Sequence, residues 1–210
     1  MYWNTVTPLL KNILIELMNE PLFDKFRLVG GTALSLQIGH RISVDIDLFT
    51  DNEYGSVDFK EIERYFQERY SYFDKSGIDI IAMGTSYFIG NSKADCIKID
   101  LYYTDNYAFE TVIFETIRMA SVQEIIAMKL DIIQRGGRKK DFWDLHFFLN
   151  KIAFDEMCIY YEKRYPYNNY TIPIKKQILN FSDADHEFEP ICLLNKSWEL
   201  IKLDFIETIV

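Results

Sequence analysis

Cysteine and histidine are scarce in this chain of 210 residues, which has 3 of each. The cysteines are widely spaced, at Cys96, Cys158 and Cys192. They form no C-x-x-C pair and no even set, which excludes a disulfide framework, so we expect a reducing compartment. The histidines are scattered as well and have neither the His-x-x-x-His nor the Cys/His spacing of a zinc site.

Long hydrophobic runs and positive charge are also lacking. No apolar stretch is long enough to span a bilayer, and the apolar N-terminal segment carries Glu16 and Glu20 without a basic start, which is typical of an amphipathic helix rather than a signal peptide. The net charge of −9 argues against a surface that binds nucleic acid throughout, although a local basic patch remains open. We therefore expect a soluble, cytoplasmic protein with no membrane contact.

The chain does contain clear hydrophobic periods, and their character changes along its length. Its 210 residues are enough for one large domain or two small ones, and hydrophobic residues make up 49% of it and aromatic residues 16%. Strand-like runs predict strands at residues 26–29, 42–49, 78–83, 86–89, 95–103, 112–114 and 117–119. Helical spacing predicts helices at residues 8–19, 32–39, 57–70, 121–134, 141–150, 155–164, 173–180 and 198–209.

Because strands dominate the first half and helices the second, the sequence predicts an α+β fold. We expect residues 1–120 to form the α+β core and residues 121–210 a helical C-terminal domain packed on it. Ser121 and Glu124 mark the boundary, since their spacing is that of a capping box, in which both side chains accept hydrogen bonds from backbone N–H groups at a helix start.

Asp45 and Asp47 are the first candidate functional residues. One residue separates them, so on a strand both carboxylates project from the same face, while Val44, Ile46 and Leu48 point the other way, into a core. Two adjacent carboxylates repel each other and resist burial, and a divalent cation resolves that conflict. The alternative is that the D-x-D pattern marks a solvated edge strand.

Asp100 meets the demand of a two-metal, polymerase-type site for a third carboxylate from a neighbouring strand. It lies between Ile99 and Leu101 in an apolar run, where a charge is otherwise out of place. Mg²⁺ (or Mn²⁺) suits such a site, because it takes few oxygen ligands from the protein and completes its shell with water and substrate phosphates.

Gly30 and Gly31 end a predicted strand ahead of the aspartate pair. Glycine permits positive φ and close approach of the backbone, and the helix that follows, beginning near Thr32 or Ser35, offers N–H groups and a positive dipole end to a phosphate. A tight strand-to-helix turn without a ligand is the alternative, and the sequence does not match the P-loop pattern.

Lys129 lies inside an otherwise apolar helix, from which its ammonium could reach a triphosphate. The alternative is an exposed lysine on the polar face of that helix. A basic run follows the helix, with Arg135, Arg138, Lys139 and Lys140. It is a candidate contact for RNA, or a set of cations that complement the helix dipole, and Arg135 has the spacing of an i,i+4 ion pair with Asp131.

Two segments, taken in order, resemble the motifs of the AbiEii/AbiGii-type nucleotidyltransferases, which belong to the DNA-polymerase-β-like superfamily. The first contains VGGTALS from Val29 and HRISVDIDLF from His40. The second contains MKL from Met128 and KDFWDL from Lys140. The match extends over residues 26–149, and the order of the motifs is what makes it specific.

The resemblance implies a nucleotidyltransferase core with a mixed β-sheet, and Mg²⁺-dependent transfer of a nucleoside monophosphate from an NTP to an acceptor, with release of pyrophosphate. It implies phosphate contacts from Gly30, Gly31, Ser35 and Lys129, metal ligands in Asp45 and Asp47, and an acidic residue of the last motif in Asp141. Asp141 also has a simpler interpretation, as a negative charge in the first turn of a helix.

Many relatives are toxins of toxin–antitoxin or phage-abortive systems, and some modify tRNA ends. The expected partners are therefore an NTP, an RNA (tRNA) or protein acceptor, and a cognate antitoxin. Two other functions stay open: a sugar transferase that holds a metal and a nucleotide sugar with D-x-D, and a non-catalytic relative that binds a partner. The intact candidate metal ligands argue against the second of these.

Overall fold

The computed structural model of the protein describes residues 1–76, 83–170 and 172–209. The chain divides into two compact units. The sheet unit comprises Val6–Ala33 and Ser43–Ala120, and the helical unit comprises Met1–Thr5, Leu34–Ile42 and Ser121–Val210. Ser121 begins the last segment of the helical unit, and two earlier segments belong to that unit as well. The division into domains of residues 1–120 and 121–210 stays a prediction.

Within the described residues, seven strands form one mixed sheet in the sheet unit. They are β1 (Arg27–Leu28), β2 (Asp45–Thr50), β3 (Tyr72–Ser76), β4 (Gly84–Ser92), β5 (Asp95–Tyr103), β6 (Thr111–Phe114) and β7 (Ile117–Ala120). Their order in the sheet is β3-β4-β5-β2-β1-β7-β6. Pairing is parallel between β2 and β5 and between β1 and β7, and antiparallel elsewhere. The predicted α+β class with a mixed sheet is confirmed.

Two of the predicted strands need correction. β2 begins at Asp45 rather than at residue 42, because the N–H of Ile42 donates to Ile191 O at 2.9 Å within the helical unit. Val44 therefore precedes the strand and is 56% exposed, not in the core as predicted. The predicted strand at residues 78–83 lies outside the described residues except for Met83, and β3 was not predicted because its sequence, YFDKS, does not alternate.

Helices α1 (Pro8–Asn19) and α3 (Phe59–Arg69) belong to the sheet unit. The α1 helix begins where its sequence predicts, because Thr7 caps it by accepting a hydrogen bond from Leu10 N at 3.2 Å. It packs against β2, β5 and β7 through apolar residues that are at most 2% exposed, namely Leu10, Ile13, Leu14 and Leu17. Burying each of these side chains contributes about 1.5–3 kcal/mol.

Helix α2 (Gly30–Ile38) lies between β1 and β2 in the chain. It begins at Gly30, so the glycine pair forms its first turn instead of a separate turn ahead of it. This earlier start places the first backbone N–H groups of the helix directly after β1.

The helical unit contains α4 (Val122–Gln134), α5 (Lys139–His146), α6 (Phe154–Arg164), α7 (Ile174–Gln177) and α8 (Trp198–Ile209). Helix α4 packs against α5, α6 and α7, and α5 packs against α8. The Ser121 hydroxyl accepts a hydrogen bond from Glu124 N at 3.3 Å, which confirms the predicted helix start. The Glu124 carboxylate forms a fully buried ion pair with Arg164 of α6, so it also joins two helices.

Cys96, Cys158 and Cys192 are free thiols. Among the helices of the described ranges, none has the length and hydropathy needed to cross a membrane.

Candidate active site

β2 and β5 bring Asp45, Asp47, Lys98 and Asp100 to one side of the sheet, and we call these four residues the carboxylate face. The parallel pairing sets Asp45 opposite Lys98 and Asp47 opposite Asp100. Because side chains alternate along a strand, all four point away from the intervening Ile46, which is 0% exposed. Asp100 thus lies on the strand next to that of Asp45 and Asp47, and its role in the site stays a prediction.

Both oxygens of Asp100 are engaged within the sheet unit. Lys98 Nζ lies 2.6 Å from Asp100 Oδ2, and the Ser86 hydroxyl donates to Asp100 Oδ1 at 2.5 Å. Partial burial alone would lower the pKa of Lys98, but its hydrogen bond to Asp100 and the charges of Asp100, Asp45 and Asp47 outweigh burial and raise it. Lys98 is therefore a protonated cation among three carboxylates.

The carboxylate face fits a divalent ion in part. In residues 1–76, 83–170 and 172–209, no cluster of three or more His, Cys, Asp or Glu side chains is already arranged to hold a metal. Asp45 and Asp47 are nevertheless half-buried carboxylate residues on one face of the sheet, and Mg²⁺ commonly uses one or two carboxylates together with substrate phosphates. Asp100 is a less available donor, because Lys98 Nζ and the Ser86 hydroxyl already bond its two oxygens.

Gly30 allows the Asp47 carboxylate to lie against the first turn of α2. A Cβ atom at Gly30 would be 2.4 Å from Asp47 Oδ2, and the φ angle of Gly30 is +68°. Both observations require glycine at this position. Glycine was expected here so that a phosphate could approach the backbone. The group that lies against the Gly30 backbone is the Asp47 carboxylate, next to helix N–H groups that favour negative charge.

Thr32 and Ser35 have buried hydroxyl groups. The Thr32 hydroxyl bonds with the Ser43 hydroxyl at 2.8 Å and with the backbone carbonyl of Asp45, and Thr32 is only 1% exposed. These bonds hold the start of β2 rather than face solvent. Ser35, in the helical unit, is 0% exposed. Phosphate contacts at this helix are therefore better supplied by the backbone N–H groups of Gly30 and Gly31 than by these two side chains.

The helical unit contains a second charged group, the buried ion cluster of His40, Arg41, Lys129, Asp141 and Asp144. Asp144 Oδ1 accepts from His40 Nε2 at 2.7 Å and from Arg41 Nε at 2.6 Å, and Asp144 Oδ2 lies 2.8 Å from Lys129 Nζ. Lys129 Nζ also lies 2.6 Å from Asp141 Oδ1. No side chain of the cluster is more than 5% exposed.

The cluster is charged and nearly balanced. Burial would raise the pKa of Asp144, but the charges of Arg41 and Lys129 and the hydrogen bonds from His40 and Arg41 hold it well below its usual range. The pKa of Asp141 is likewise lowered against burial, chiefly by Lys129 and Arg138. Burial lowers the pKa of His40, so this histidine is neutral and donates through Nε2.

Lys129 is not the exposed lysine that its helical spacing favoured, since it is 3% exposed and both of its carboxylate partners are buried. The simpler interpretation of Asp141 is confirmed, because Asp141 Oδ2 accepts from Arg138 N at 3.1 Å at the start of α5. The predicted ion pair between Asp131 and Arg135 is also present. As they stand, Lys129 and Asp141 bind each other, and contact with a phosphate would require Lys129 to leave two carboxylates.

Sequence reasoning overlooked Lys98, Ser86 and Arg41 as partners of the aspartates. Lys98 was detectable, because it precedes Asp100 by two residues and so shares its face of the strand. Ser86 and Arg41 had no local signal, since they are 14 and 103 residues away from the aspartates that they bind.

A mixed sheet that presents paired aspartates beside a glycine-initiated helix is the arrangement of a nucleotidyltransferase. Solved structures share this fold. MenT4, a nucleotidyltransferase toxin of Mycobacterium tuberculosis H37Rv, has a TM-score of 0.60 at 12% identity, covering 94% of this chain and 78% of that one. JHP933 from Helicobacter pylori has a TM-score of 0.59 at 17% identity, covering 94% and 88%.

The family model described as "Nucleotidyl transferase AbiEii toxin, Type IV TA system" matches residues 12–205. The protein therefore belongs to the AbiEii nucleotidyltransferase toxin family, and it is a nucleotidyltransferase. A protein of Aquifex aeolicus (strain VF5) named aq_aa25 is 28% identical over 182 residues, which is 84% of each chain. The expected family is thus confirmed, and the match extends well beyond the segment that the motifs cover.

Proposed function

We propose that the protein transfers a nucleoside monophosphate from an NTP to an acceptor hydroxyl with the help of Mg²⁺ or Mn²⁺. The observation that carries this proposal is the pair Asp45 and Asp47 on one face of β2, with Asp47 held against the Gly30 backbone at the start of α2. Metal ligands and phosphate-binding N–H groups thereby come from adjacent parts of one unit, as transfer from a triphosphate requires.

In this proposal Asp45 and Asp47 hold the divalent ion, and the N–H groups of Gly30 and Gly31 bind phosphate oxygens. The ion, when bound, supplies neutralisation of charge on the triphosphate. Asp100, once released by Lys98, serves as the third metal ligand and accepts the proton of the acceptor hydroxyl. The new bond joins the acceptor oxygen to the α-phosphorus, and the bond to pyrophosphate breaks.

Lys129 and Asp141 complete the proposed set of site residues. Since their side chains bind each other in the described structure, we propose that they act mainly by holding α4 to α5. The triphosphate contact that the family resemblance implies for Lys129 would need a rearrangement of the buried ion cluster.

RNA, with tRNA as the first candidate, is the acceptor that we favour over protein. Two cations after α4 support it, because the side chains of Arg135 and Arg138 are 59% and 46% exposed on an acidic protein. Membership of a toxin family further supports action as a toxin that a cognate antitoxin neutralises. It also favours nucleotidyl transfer over sugar transfer and over a non-catalytic role.

The test is incubation with each α-labelled NTP, Mg²⁺ and either total RNA or total protein, followed by gel electrophoresis. Asp45→Asn and Asp47→Asn should each abolish labelling while circular dichroism stays unchanged. Asp95→Asn is the matched control, since Asp95 lies on the neighbouring strand β5 but its carboxylate accepts a hydrogen bond from the exposed Asn91. Full labelling by both active-site variants would overturn the proposal, and labelled protein instead of RNA would change the acceptor.

A further inference from the structure

Lys98 places a positive charge on the carboxylate face, where the proposed function requires a divalent cation to bind. Its ammonium lies 2.6 Å from Asp100 Oδ2, and its Cα pairs with that of Asp45 across the parallel strands. The side chains of Lys98 and Asp100 are 36% and 19% exposed, so the pair is shielded more than a typical surface salt bridge. Ser86 holds the other oxygen of Asp100 and fixes the direction of the carboxylate.

The charges of the carboxylate face explain what this lysine does. Its three carboxylates and one ammonium leave two negative charges, which a single divalent ion neutralises. A second divalent ion that used Asp100 would have to approach the lysine ammonium, and like charges this close repel strongly.

We propose that Lys98 is a tethered cation that competes with the second divalent ion for Asp100. This inference rests on the proposed function. The two ions then bind unequally: the first goes to Asp45 and Asp47, and the second enters only when Asp100 releases Lys98. A triphosphate brings the negative charge that offsets the added cation, so the second ion and the NTP enter together. Lys98 is thus a positioning residue, because it acts through Asp100.

Mn²⁺ binding measured without nucleotide, by calorimetry and by electron paramagnetic resonance of free Mn²⁺, tests the competition directly. Wild-type protein should bind one Mn²⁺ tightly and a second one weakly. Lys98→Met should tighten the second site about tenfold or more, because removal of the ammonium frees Asp100. Lys98→Arg keeps the charge and should behave like wild type.

Two further variants make the result specific. Lys75→Met is the matched control, since Lys75 of β3 is also ion-paired, with Glu63 at 2.7 Å, but lies outside the carboxylate face. Asp100→Asn should remove only the weak site, and this measurement stays informative if Lys98→Met does not fold.

Three outcomes would separate the two proposals. An unchanged second site in folded Lys98→Met would overturn the competition while leaving the proposed function intact. Loss of only the tight site in Asp100→Asn would also overturn it. If Asp45→Asn and Asp47→Asn do not weaken Mn²⁺ binding at all, the metal site of the proposed function itself is wrong.

Discussion

Arg41 binds Asp144 with two hydrogen bonds, from Nε to Oδ1 at 2.6 Å and from Nη2 to Oδ2 at 3.0 Å, and the two side chains are only 4% and 0% exposed. A two-point contact of this kind fixes the planes of both groups. Since Asp144 lies on α5 and Arg41 comes just after α2, the contact ties two distant parts of the chain together inside the helical unit.

Asp144→Asn should therefore be strongly destabilising. The variant leaves Arg41 and Lys129 charged and buried without a full counter-charge, and breaking a buried ion pair from one side costs about 3–5 kcal/mol. Asp155→Asn is the control, because its side chain is 75% exposed and pairs with the exposed Lys175. Urea denaturation should show a large loss of unfolding free energy for the first and almost none for the second. Equal stability of the two variants would contradict the structural importance of the cluster.

The same cluster predicts that the protein loses stability in acid. Burial lowers the pKa of His40 below its ordinary value of 6.5, so the unfolded chain takes up this proton first and the free energy of unfolding falls as pH drops below about 6.5. The depressed pKa of Asp144 adds stability that is present above the unfolded-state pKa, about 3.9, and is lost as pH falls further.

Urea midpoints measured from pH 8 to pH 4.5 should thus stay level down to about pH 6.5 and decline below it. This decline should begin before any carboxylate of the cluster is protonated. The pKa of His146 is also lowered by burial, so both histidines contribute to the decline. His40→Asn should lower stability at every pH but make the decline shallower, and His146→Asn should do the same to a smaller degree because His146 is less buried. If the slope were identical in wild type and in a variant that carries both His40→Asn and His146→Asn, groups other than these histidines would have to explain the decline.

The carboxylate face shows how far the sequence alone leads. The alternation of Asp45 and Asp47 was enough to place both on one side of a strand, because side-chain direction in a strand depends only on spacing. The apolar neighbours of Asp100 predicted a strand there, and its role as a third carboxylate of the site stays a prediction. What spacing could not reveal is the parallel register that also sets Lys98 opposite Asp45, since register depends on contacts between strands that are far apart in the chain.

Lys129 shows where local reasoning fails. A lysine in an apolar helix normally extends its charge to solvent, which is why its burial was not predicted. Here the ammonium stays inside because Asp141 and Asp144 surround it, and both come from the next helix. Burial of a charge is decided by partners that only the folded chain assembles, so helical periodicity cannot predict it.

Gly30→Ala should impair nucleotidyl transfer by more than its backbone strain alone would explain. Alanine at this position meets a φ of +68° and a contact of 2.4 Å with Asp47 Oδ2, so the carboxylate must move. Gly55→Ala is a matched control, because Gly55 has a φ of +82° but no atom of the described residues beyond its two chain neighbours lies within 4 Å of the place that an alanine Cβ would take. Both variants should lose about 1–2 kcal/mol of stability from the left-handed backbone.

Only Gly30→Ala should also lose nucleotidyl transfer, by tenfold or more if about 1.4 kcal/mol of transition-state stabilisation depends on the position of Asp47. Labelling from α-labelled NTP, compared at temperatures where both variants are fully folded, measures this difference. Equal activity of the two alanine variants would show that the closeness of Gly30 and Asp47 has no catalytic role.

Arg135→Gln should weaken the use of RNA without affecting the use of NTP. The Arg135 side chain is 59% exposed, and loss of its contact with one phosphate should raise the KM for RNA several-fold and leave kcat and the KM for NTP unchanged. It should also reduce the slope of log affinity against log salt by about 0.7, as expected for one contact with a single strand. Lys175→Gln is the control, because Lys175 is 58% exposed and also ion-paired. An equal effect of both variants would indicate general charge attraction, whereas a changed KM for NTP would place Arg135 on the donor side of the reaction.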